Sequence, residues 1–203
     1  MRPNTMVIAG VRDTESASSK AIYSLPTAEN SKAIVVHIDS LSESSAKDSV
    51  KLLESKHSIT KLDVVIANAG ISNYYGLTID TPLSEVRSHF EVNTIGALAL
   101  FQATWPLLQA APKPKFVVVT TGLGSIGDMG NMPMPVVAYG ASKAAVNFIT
   151  RKIHFENPDL IAFPISPGYE FPCTTCSSFN DNNELQMGSD RYGQCWCSCG
   201  GNG

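Results

Sequence analysis

The sequence lacks the features that mark membrane, secreted and nucleic-acid-binding proteins. No apolar run approaches the ~18 residues that a membrane-spanning helix needs, and no apolar leader follows Met1-Arg2-Pro3-Asn4. Charged residues make up only 16% of the 203 residues, and the formal net charge is −3. A mildly acidic chain has no electrostatic reason to bind nucleic acid or an anionic membrane. We therefore expect a cytoplasmic protein with neither of these partners.

Cysteine is absent before Cys173, and all five cysteines lie between that residue and Cys199. Closely spaced thiolates bind zinc well, so this cluster leaves zinc binding open as an alternative. The surrounding residues 169–203 are polar and show neither helical nor strand periodicity. We interpret this tail as sequence that did not evolve under selection for the structure or function of a protein, and we predict no metal site. The four histidines are scattered along the chain, and we assign them no metal or catalytic role.

Strands and helices are predicted to alternate along the rest of the chain, which contains no internal repeat and no linker. Buried strands are indicated by short apolar runs, and helices by amphipathic segments with capping residues at their starts. This alternation is typical of an α/β fold with a parallel sheet. The predicted strands are 6–11, 32–39, 62–66, 116–120 and 160–165, and the predicted helices are 13–25, 42–56, 81–108 and 138–155. Thr81 and Pro82 are expected to cap and open the third of these helices.

Tyr139 and Lys143 form the most informative pair in the sequence. A spacing of four residues places both side chains on one face of the predicted helix, one turn apart. A free tyrosine titrates near ~10 and is a poor acid or base at neutral pH. A neighbouring ammonium group stabilises the phenolate and lowers its pKa. The pair could therefore exchange a proton with a carbonyl or alcohol oxygen; an exposed tyrosine beside a solvated lysine is the alternative.

Four further motifs agree with this interpretation in order and spacing: Asn68-Ala69-Gly70, Val92-Asn93-Thr94, Thr121 before a glycine loop, and Ser166-Pro167-Gly168. Together they resemble the short-chain dehydrogenase/reductase family over residues 5–168. The segments 7–13 and 124–128 resemble its fungal branch, the norsolorinic acid ketoreductase type. The resemblance implies a Rossmann-like, doubly wound parallel sheet in three α/β/α layers. It also implies an NADPH-dependent oxidoreductase that transfers a hydride between nicotinamide and a ketone or secondary alcohol.

The resemblance also implies the catalytic roles. Tyr139 would be the general acid/base, and Lys143 would lower its pKa and bind the nicotinamide ribose. Asn93 occupies the position where the family keeps an asparagine that kinks a helix and holds a water in the proton relay. The substrate oxygen would meet the hydroxyl of Thr121 or of Ser125. The β-branch of Thr121 restricts its χ1 angle, which favours Ser125.

For the cofactor, Arg12 favours NADPH over NADH because a guanidinium pairs well with a phosphate. Asp39 follows its strand at the family's adenine position. A glycine in the turn after the third strand would let the backbone approach the cofactor. The implied cofactor contacts are Arg12, Asp39, Asn68, Ala69, Gly70, Lys143, Pro167 and Gly168.

One part of the family pattern is missing. A dinucleotide-binding fold begins with a strand, a glycine-rich turn and a helix whose N-terminus holds the pyrophosphate. No Gly-x-x-x-Gly-x-Gly occurs at a suitable place. Arg12 follows the first predicted strand of this chain, whereas in the family a basic residue of this kind follows the second strand. We therefore expect the first βα unit to be absent. In the strand order 3-2-1-4-5-6 that unit supplies a central strand, so strands 6–11 and 62–66 should lose their shared neighbour.

The predicted domains are a partial nucleotide-binding domain, 1–168, and an irregular tail, 169–203. Segment 187–199 can be back-translated so that a one-base shift reads like the family's own continuation. Codons for Gly168-Tyr169-Glu170 can contain a splice donor, and a codon for Gln186 can end the intron. Our hypothesis is a retained intron followed by shifted coding sequence. A genomic sequence without these signals would remove it.

Four interpretations of function remain open at the level of the sequence, and the last of them is the zinc binding by the C-terminal cysteines described above. The first is an active reductase whose partner is a small carbonyl or alcohol substrate, with walls from Tyr74, Tyr75 and residues 126–137. The second is a catalytically impaired fragment of the same fold. The third is a non-enzymatic dimerisation module, because helices 81–108 and 138–155 resemble those that pair subunits in this family. They also suggest a homodimer or homotetramer.

Overall fold

The computed structural model describes residues 3–168, and the cysteine-containing tail with its alternative zinc site and its intron hypothesis lies outside the described residues. The described part belongs to a compact unit, Met1–Pro167; the domain boundary after Gly168 stays a prediction. Strands and helices alternate within it. The strands are β1 Met6–Val11, β2 Lys32–His37, β3 Val64–Ala67, β4 Lys115–Val119 and β5 Ile161–Ile165, and the helices are α1 Ala17–Ala21, α2 Ser45–His57, α3 Leu83–Phe90, α4 Gly96–Gln109 and α5 Val137–Glu156.

The strands form two separate parallel sheets. One sheet pairs β1 with β2, and the other has the order β3-β4-β5. The predicted α/β fold with parallel strands is therefore confirmed. As expected from the missing first unit, β1 and β3 share no neighbouring strand within residues 3–168.

Two apolar clusters form the core. The larger cluster places the side chains of β3, β4 and β5 against α4 and α5, with Phe116 and Leu108 almost completely buried. The second cluster joins β2 and α2 to the other side of α4. Leu62 and Leu100 pack against both clusters. The helix α4 therefore ties the two sheets together, although no ladder of backbone hydrogen bonds connects them.

Residues 3–168 leave one face of the β3-β4-β5 sheet open. The buried residues of these strands face α4 and α5, while the alternate residues lie on the opposite face because successive side chains of a strand point to opposite sides. Central parallel strands are ordinarily covered on both faces. The apolar residues left on the open face are 40–57% exposed: Val64, Ile66, Ile161, Phe163 and Ile165.

The predicted helix 81–108 is not one regular helix. It consists of α3, a π-helical segment Glu91–Ile95, and α4. The expected Thr81 cap is wrong: the Thr81 hydroxyl donates backwards to the Leu77 carbonyl at 2.9 Å, and Pro82 occupies the cap position without a side-chain hydrogen bond. No helix among the described residues is both long and apolar enough to cross a membrane.

The first predicted helix is also shorter than expected. It begins after Ser16, whose hydroxyl accepts a hydrogen bond from the Ser19 amide, and its regular α-helical part is α1 alone. Asp13 caps nothing in the helix, since its carboxylate accepts from the Glu15 amide in a preceding turn. The short helix follows from a run of small polar residues with weak helix propensity.

We expect Leu108→Ala to lower the free energy of unfolding by about 2–5 kcal/mol, because it empties a completely buried site in the larger cluster. The matched control is Leu41→Ala, at a leucine that is 65% exposed, where the change should stay within about 0.5 kcal/mol. Urea denaturation measures both values. Equal losses for the two variants would contradict this description of the core.

Candidate active site

Asn93 lies in the π-helical segment and is 1% exposed. Its Oδ1 accepts a hydrogen bond from the Ile71 amide at 2.7 Å, and its Nδ2 donates to the Ile71 carbonyl at 3.0 Å. A π-bulge inside an α-helix turns a side chain out of its regular position and is frequent at functional sites. Here it directs the Asn93 amide to the loop that follows β3. The predicted distortion of the helix at Asn93 is confirmed.

Ser142 connects Asn93 to the predicted Tyr/Lys helix. The Asn93 Nδ2 also donates to Ser142 Oγ at 2.9 Å, and this hydroxyl donates to the Tyr139 carbonyl at 2.7 Å. Thr94 adds a bond from its hydroxyl to the Ser142 carbonyl at 2.9 Å. Sequence reasoning missed Ser142, although its place within Tyr139-Gly-Ala-Ser-Lys143 was a usable signal.

Lys143 is 4% exposed, and its ammonium donates to the Val119 carbonyl at 2.8 Å. Burial lowers its pKa, since the charged form loses hydration. A Cβ placed on Gly70 would lie 3.1 Å from Asn93 Oδ1 and 3.3 Å from Lys143 Nζ. Glycine at this position therefore lets the turn after β3 lie directly against both functional side chains.

Tyr139 is half-buried, and Lys143 Nζ lies 5.9 Å from the centroid of its ring. Burial raises the pKa of Tyr139 above its ordinary value, and the nearby Tyr75 phenol raises it further. The expectation that Lys143 lowers this pKa is wrong for the cofactor-free chain. The physical reason is that the ammonium is held by the Val119 carbonyl, while burial disfavours the phenolate.

His89 is a second feature that sequence reasoning missed. It is fully buried, its Nδ1 lies 2.7 Å from the Glu85 carbonyl, and its ring meets the Tyr139 ring edge-on at a centroid distance of 6.5 Å. The Nε2 atom has no hydrogen-bond partner among the described residues. Its position one helical turn before Asn93 was the only sequence signal.

Two glycines bring the turn after β4 against α5. A Cβ on Gly124 would lie 3.0 Å from atoms of Lys143, and a Cβ on Gly140 would lie 2.9 Å from the Leu123 carbonyl. Thr121 and Ser125 flank this turn. Their hydroxyls accept hydrogen bonds from the Leu123 and Asp128 amides respectively. Both candidates therefore lie beside α5, and the choice between them stays a prediction.

The predicted cofactor contacts follow the carboxyl ends of strands. Arg12 comes directly after β1, is exposed, and forms no ion pair with any described residue. Asp39 follows β2, where its carboxylate accepts from the Leu41 amide at 2.9 Å. The other members are exposed after β3 and β5, and Gly168 has a positive φ of 89°; these members are Asn68, Ala69, Gly70, Pro167 and Gly168.

Comparison with known proteins identifies the class. The family described as short chain dehydrogenase matches residues 1–168, and the chain therefore belongs to this family. Norsolorinic acid ketoreductase stcE of Emericella nidulans is 44% identical over 83% of this chain. Norsolorinic acid ketoreductase nor1 of Dothistroma septosporum is 46% identical over 83%. The predicted resemblance to the fungal ketoreductase type is confirmed.

Solved structures agree on the fold. NADPH-bound carbonyl reductase from chicken fatty liver has a TM-score of 0.72 at 22% identity, covering 80% of this chain and 68% of that one. The Pseudomonas aeruginosa RhlG/NADP complex has a TM-score of 0.69 at 24% identity, covering 84% and 66%. The predicted Rossmann-like fold is confirmed. The chain spans 64% and 63% of the lengths of the two fungal ketoreductases.

We expect Asn93→Ala to reduce the free energy of unfolding by about 2–4 kcal/mol, because it removes three hydrogen bonds and leaves the Ile71 backbone groups unpaired. Asn147→Ala is the matched control, since its buried Oδ1 has no partner among the described residues. That variant should lose less than about 1 kcal/mol. Urea denaturation measures the free energy of unfolding of both variants. A similar decrease in each would refute a structural role for the Asn93 amide.

The raised pKa of Tyr139 makes stability depend on alkaline pH. The folded chain keeps this phenol protonated at a pH where the unfolded chain ionises it, near ~10, so the stabilisation is present below that pH and is lost above it. We expect Tyr139→Phe to make the alkaline fall in unfolding free energy shallower. In a pH titration of the tyrosines followed by absorbance at 295 nm, the ionisation step at the highest pH should be missing from this variant. Tyr23→Phe, at an exposed tyrosine, is the control in which that phase must persist.

Proposed function

We propose that the chain carries the catalytic half of an NADPH-dependent ketone reductase. The main support is the arrangement of Tyr139, Lys143 and Asn93. The Ser142 hydroxyl accepts a hydrogen bond from the Asn93 amide and donates one to the Tyr139 carbonyl, so Asn93 is linked to α5, the helix that carries Tyr139 and Lys143. The relatives named as ketoreductases support the same reaction. Both relatives are longer than this chain, which covers 64% and 63% of their lengths, so the activity of this chain is itself proposed.

Tyr139 is the proton donor in the proposed reaction. Its phenol is protonated at neutral pH, as an ordinary tyrosine is, so it can donate a hydrogen bond, and then the proton, to a ketone oxygen. In the opposite direction the phenolate would accept the alcohol proton. Tyr75 stands close enough to influence the Tyr139 phenol, which supports its predicted place in the substrate wall.

Lys143 would bind the nicotinamide ribose. In the free chain its ammonium is anchored on the Val119 carbonyl, one helical turn from Tyr139. Asn93 holds both backbone groups of Ile71 and thereby fixes the loop after β3 beside this ammonium. When bound, NADPH supplies the hydride; the residues described here orient the carbonyl and move the proton.

The nucleotide would be held at the carboxyl ends of the strands. The turn Asn68–Gly70 is exposed, and a Cβ at Gly70 would lie 3.3 Å from Lys143 Nζ, so the ammonium lies close to this turn. The Arg12 guanidinium, which forms no ion pair with residues 3–168, would provide a partner for a 2′-phosphate. These features support NADPH over NADH.

The substrate is proposed to be an apolar, aromatic or polyketide-like ketone. The loop between β4 and α5 presents the exposed side chains of Ile126, Met129 and Met134, and thioether side chains adapt to irregular apolar surfaces. A bridge between Gly76 and Val136 joins this loop to the segment that carries Tyr74 and Tyr75. The two predicted walls therefore lie next to each other.

We also propose that the chain is cytoplasmic.

A further proposal is that the chain self-associates through α5. Phe148 and Phe155 are 69% and 64% exposed on this helix, and the Arg151 guanidinium lies 4.6 Å from the Phe155 ring. The three residues share one helical face because they are three, four and seven positions apart. An apolar and cationic stripe of this kind also supports the alternative, a dimerisation module without activity.

Titration of the purified chain with NADPH tests the proposed function. We expect saturable binding that Arg12→Ala weakens by about tenfold or more, as the loss of a charge-assisted hydrogen bond predicts. NADH affinity should not change. Arg87→Ala, at an exposed arginine on α3, is the matched control and should bind NADPH normally.

Turnover then separates an active reductase from an impaired fragment. With an aromatic ketone and saturating NADPH, Tyr139→Phe should abolish measurable reduction while it leaves NADPH affinity unchanged. Binding without turnover in the unaltered chain would favour the impaired fragment. Absence of both would exclude the active reductase and leave the impaired fragment and the dimerisation module.

A further inference from the structure

His89 is a fully buried histidine on α3 that the proposed reaction does not use. Its Nε2 atom has no hydrogen-bond partner among the described residues. A buried polar atom without a partner lowers stability, and such atoms are rare in folded proteins. Within residues 3–168 the Nε2 atom is therefore a cost that an apolar side chain of similar shape would avoid, and packing alone does not explain a histidine at this position.

The other ring nitrogen fixes the orientation of the imidazole. The Nδ1 atom lies 2.7 Å from the carbonyl oxygen of Glu85, one helical turn earlier on α3. A carbonyl oxygen can only accept a hydrogen bond, so Nδ1 carries a hydrogen and donates it. The carboxylate of Glu85 is more distant, with Oε2 4.0 Å from Nδ1. The plane of the imidazole is therefore held by the backbone of its own helix.

The imidazole held in this way contacts the ring of Tyr139. The two rings meet edge to face, with their centroids 6.5 Å apart and an angle of 69° between their planes. Aromatic pairs attract one another in this arrangement at centroid distances of about 4.5–7 Å. The contact joins α3 to the first turn of α5, and these two helices pack against each other.

The phenol of Tyr139 has few other constraints on its direction. No residue within 3–168 forms a hydrogen bond with its hydroxyl group. The Lys143 ammonium lies 5.9 Å from the centroid of the ring and donates to the Val119 carbonyl instead. The direction of this half-buried ring therefore depends on the side chains that pack against it, and the imidazole of His89 is one whose own plane is fixed.

A second contact joins the same two segments of the chain. Asn93 follows His89 by four residues and donates to the Ser142 hydroxyl. Ser142 follows Tyr139 by three residues on α5 and donates to its carbonyl. The two contacts act on different parts of the tyrosine. The Asn93 link reaches its backbone, whereas His89 touches the ring that carries the reacting hydroxyl.

We propose that His89 is a positioning residue for the phenol of Tyr139, an inference that rests on the proposed role of Tyr139 as proton donor. The bond to the Glu85 carbonyl holds the imidazole, and the edge-to-face contact limits the swing of the tyrosine ring. The hydroxyl is then presented to the ketone oxygen within a narrow range of directions. Such restriction favours proton transfer, because a displacement of about 1 Å can lower the rate by about a hundredfold.

Two variants separate the aromatic ring of His89 from its nitrogen atoms. His89→Phe keeps an aromatic ring, whereas His89→Leu fills the site with an aliphatic side chain. Both remove the Nε2 atom and place an apolar group in a buried site, so both should fold, as judged by circular dichroism. A difference between them reports the ring contact and not the loss of a polar group.

The first measurement uses the purified chain without cofactor, labelled with ¹³C in its tyrosine rings. The signal of Tyr139 is the one missing from Tyr139→Phe. We expect ¹³C relaxation to give a Tyr139 ring order parameter that falls below ~0.6 in His89→Leu and stays near that of the unaltered chain in His89→Phe. His154→Leu is the control, because His154 is an exposed histidine that makes an edge-on contact with Phe155 elsewhere on α5. That variant should leave the Tyr139 signal unchanged.

Turnover provides the second measurement. With an aromatic ketone and saturating NADPH, His89→Leu should lower kcat by roughly tenfold to a hundredfold, as expected for a misplaced proton donor. NADPH affinity should stay unchanged, and His89→Phe should recover most of the lost rate. A general structural defect would instead weaken NADPH binding and lower kcat together.

Equal order of the Tyr139 ring in all three chains, or an equal loss in His89→Phe and His89→Leu, would overturn the inference. Equal kcat values in an active chain and its His89→Leu variant would do the same. An unaltered chain that binds NADPH without turnover would contradict the proposed reductase instead. The relaxation of the Tyr139 ring needs neither cofactor nor turnover, so it would still decide the role of His89.

Discussion

The arrangement of the site depends on one buried amide. The side chain of Asn93 accepts from and donates to the backbone of Ile71 and also donates to Ser142, so three segments that are far apart in sequence are held by one group. A buried amide is costly to leave unpaired, and its geometry therefore admits few alternatives. The π-helical segment is the local distortion that turns Asn93 toward the loop after β3. Gly70 lies directly against this amide, and Ser142 links it to the Tyr139 carbonyl.

The order of the elements could be predicted from the sequence, because short apolar runs and amphipathic segments are local patterns. Apolar runs located the five strands, and the four-residue spacing of Tyr139 and Lys143 placed them on one helix face. The bonds of Ser142 and the burial of His89 depend on contacts between distant segments, which no local pattern encodes. The helix break at Asn93 was expected from the family resemblance and not from residue propensities.

The electrostatics of Tyr139 show where reasoning from spacing fails. One helical turn between an ammonium and a phenol suggests a lowered tyrosine pKa, but spacing does not reveal which acceptor holds the ammonium. The Val119 carbonyl binds Lys143, and burial acts on both groups by disfavouring their charged forms. Burial therefore makes Tyr139 a weaker acid than a free tyrosine, which is the opposite of what the four-residue spacing suggests.

The open face of the β3-β4-β5 sheet has a consequence for the chain in a cell. Its five exposed apolar side chains, Val64, Ile66, Ile161, Phe163 and Ile165, form a surface of the kind that a folding intermediate presents to holdase chaperones. Proteins with such surfaces undergo continual triage between refolding and proteolysis, which lowers their steady-state abundance. A polypeptide that kept this face uncovered would therefore be a substrate for quality control.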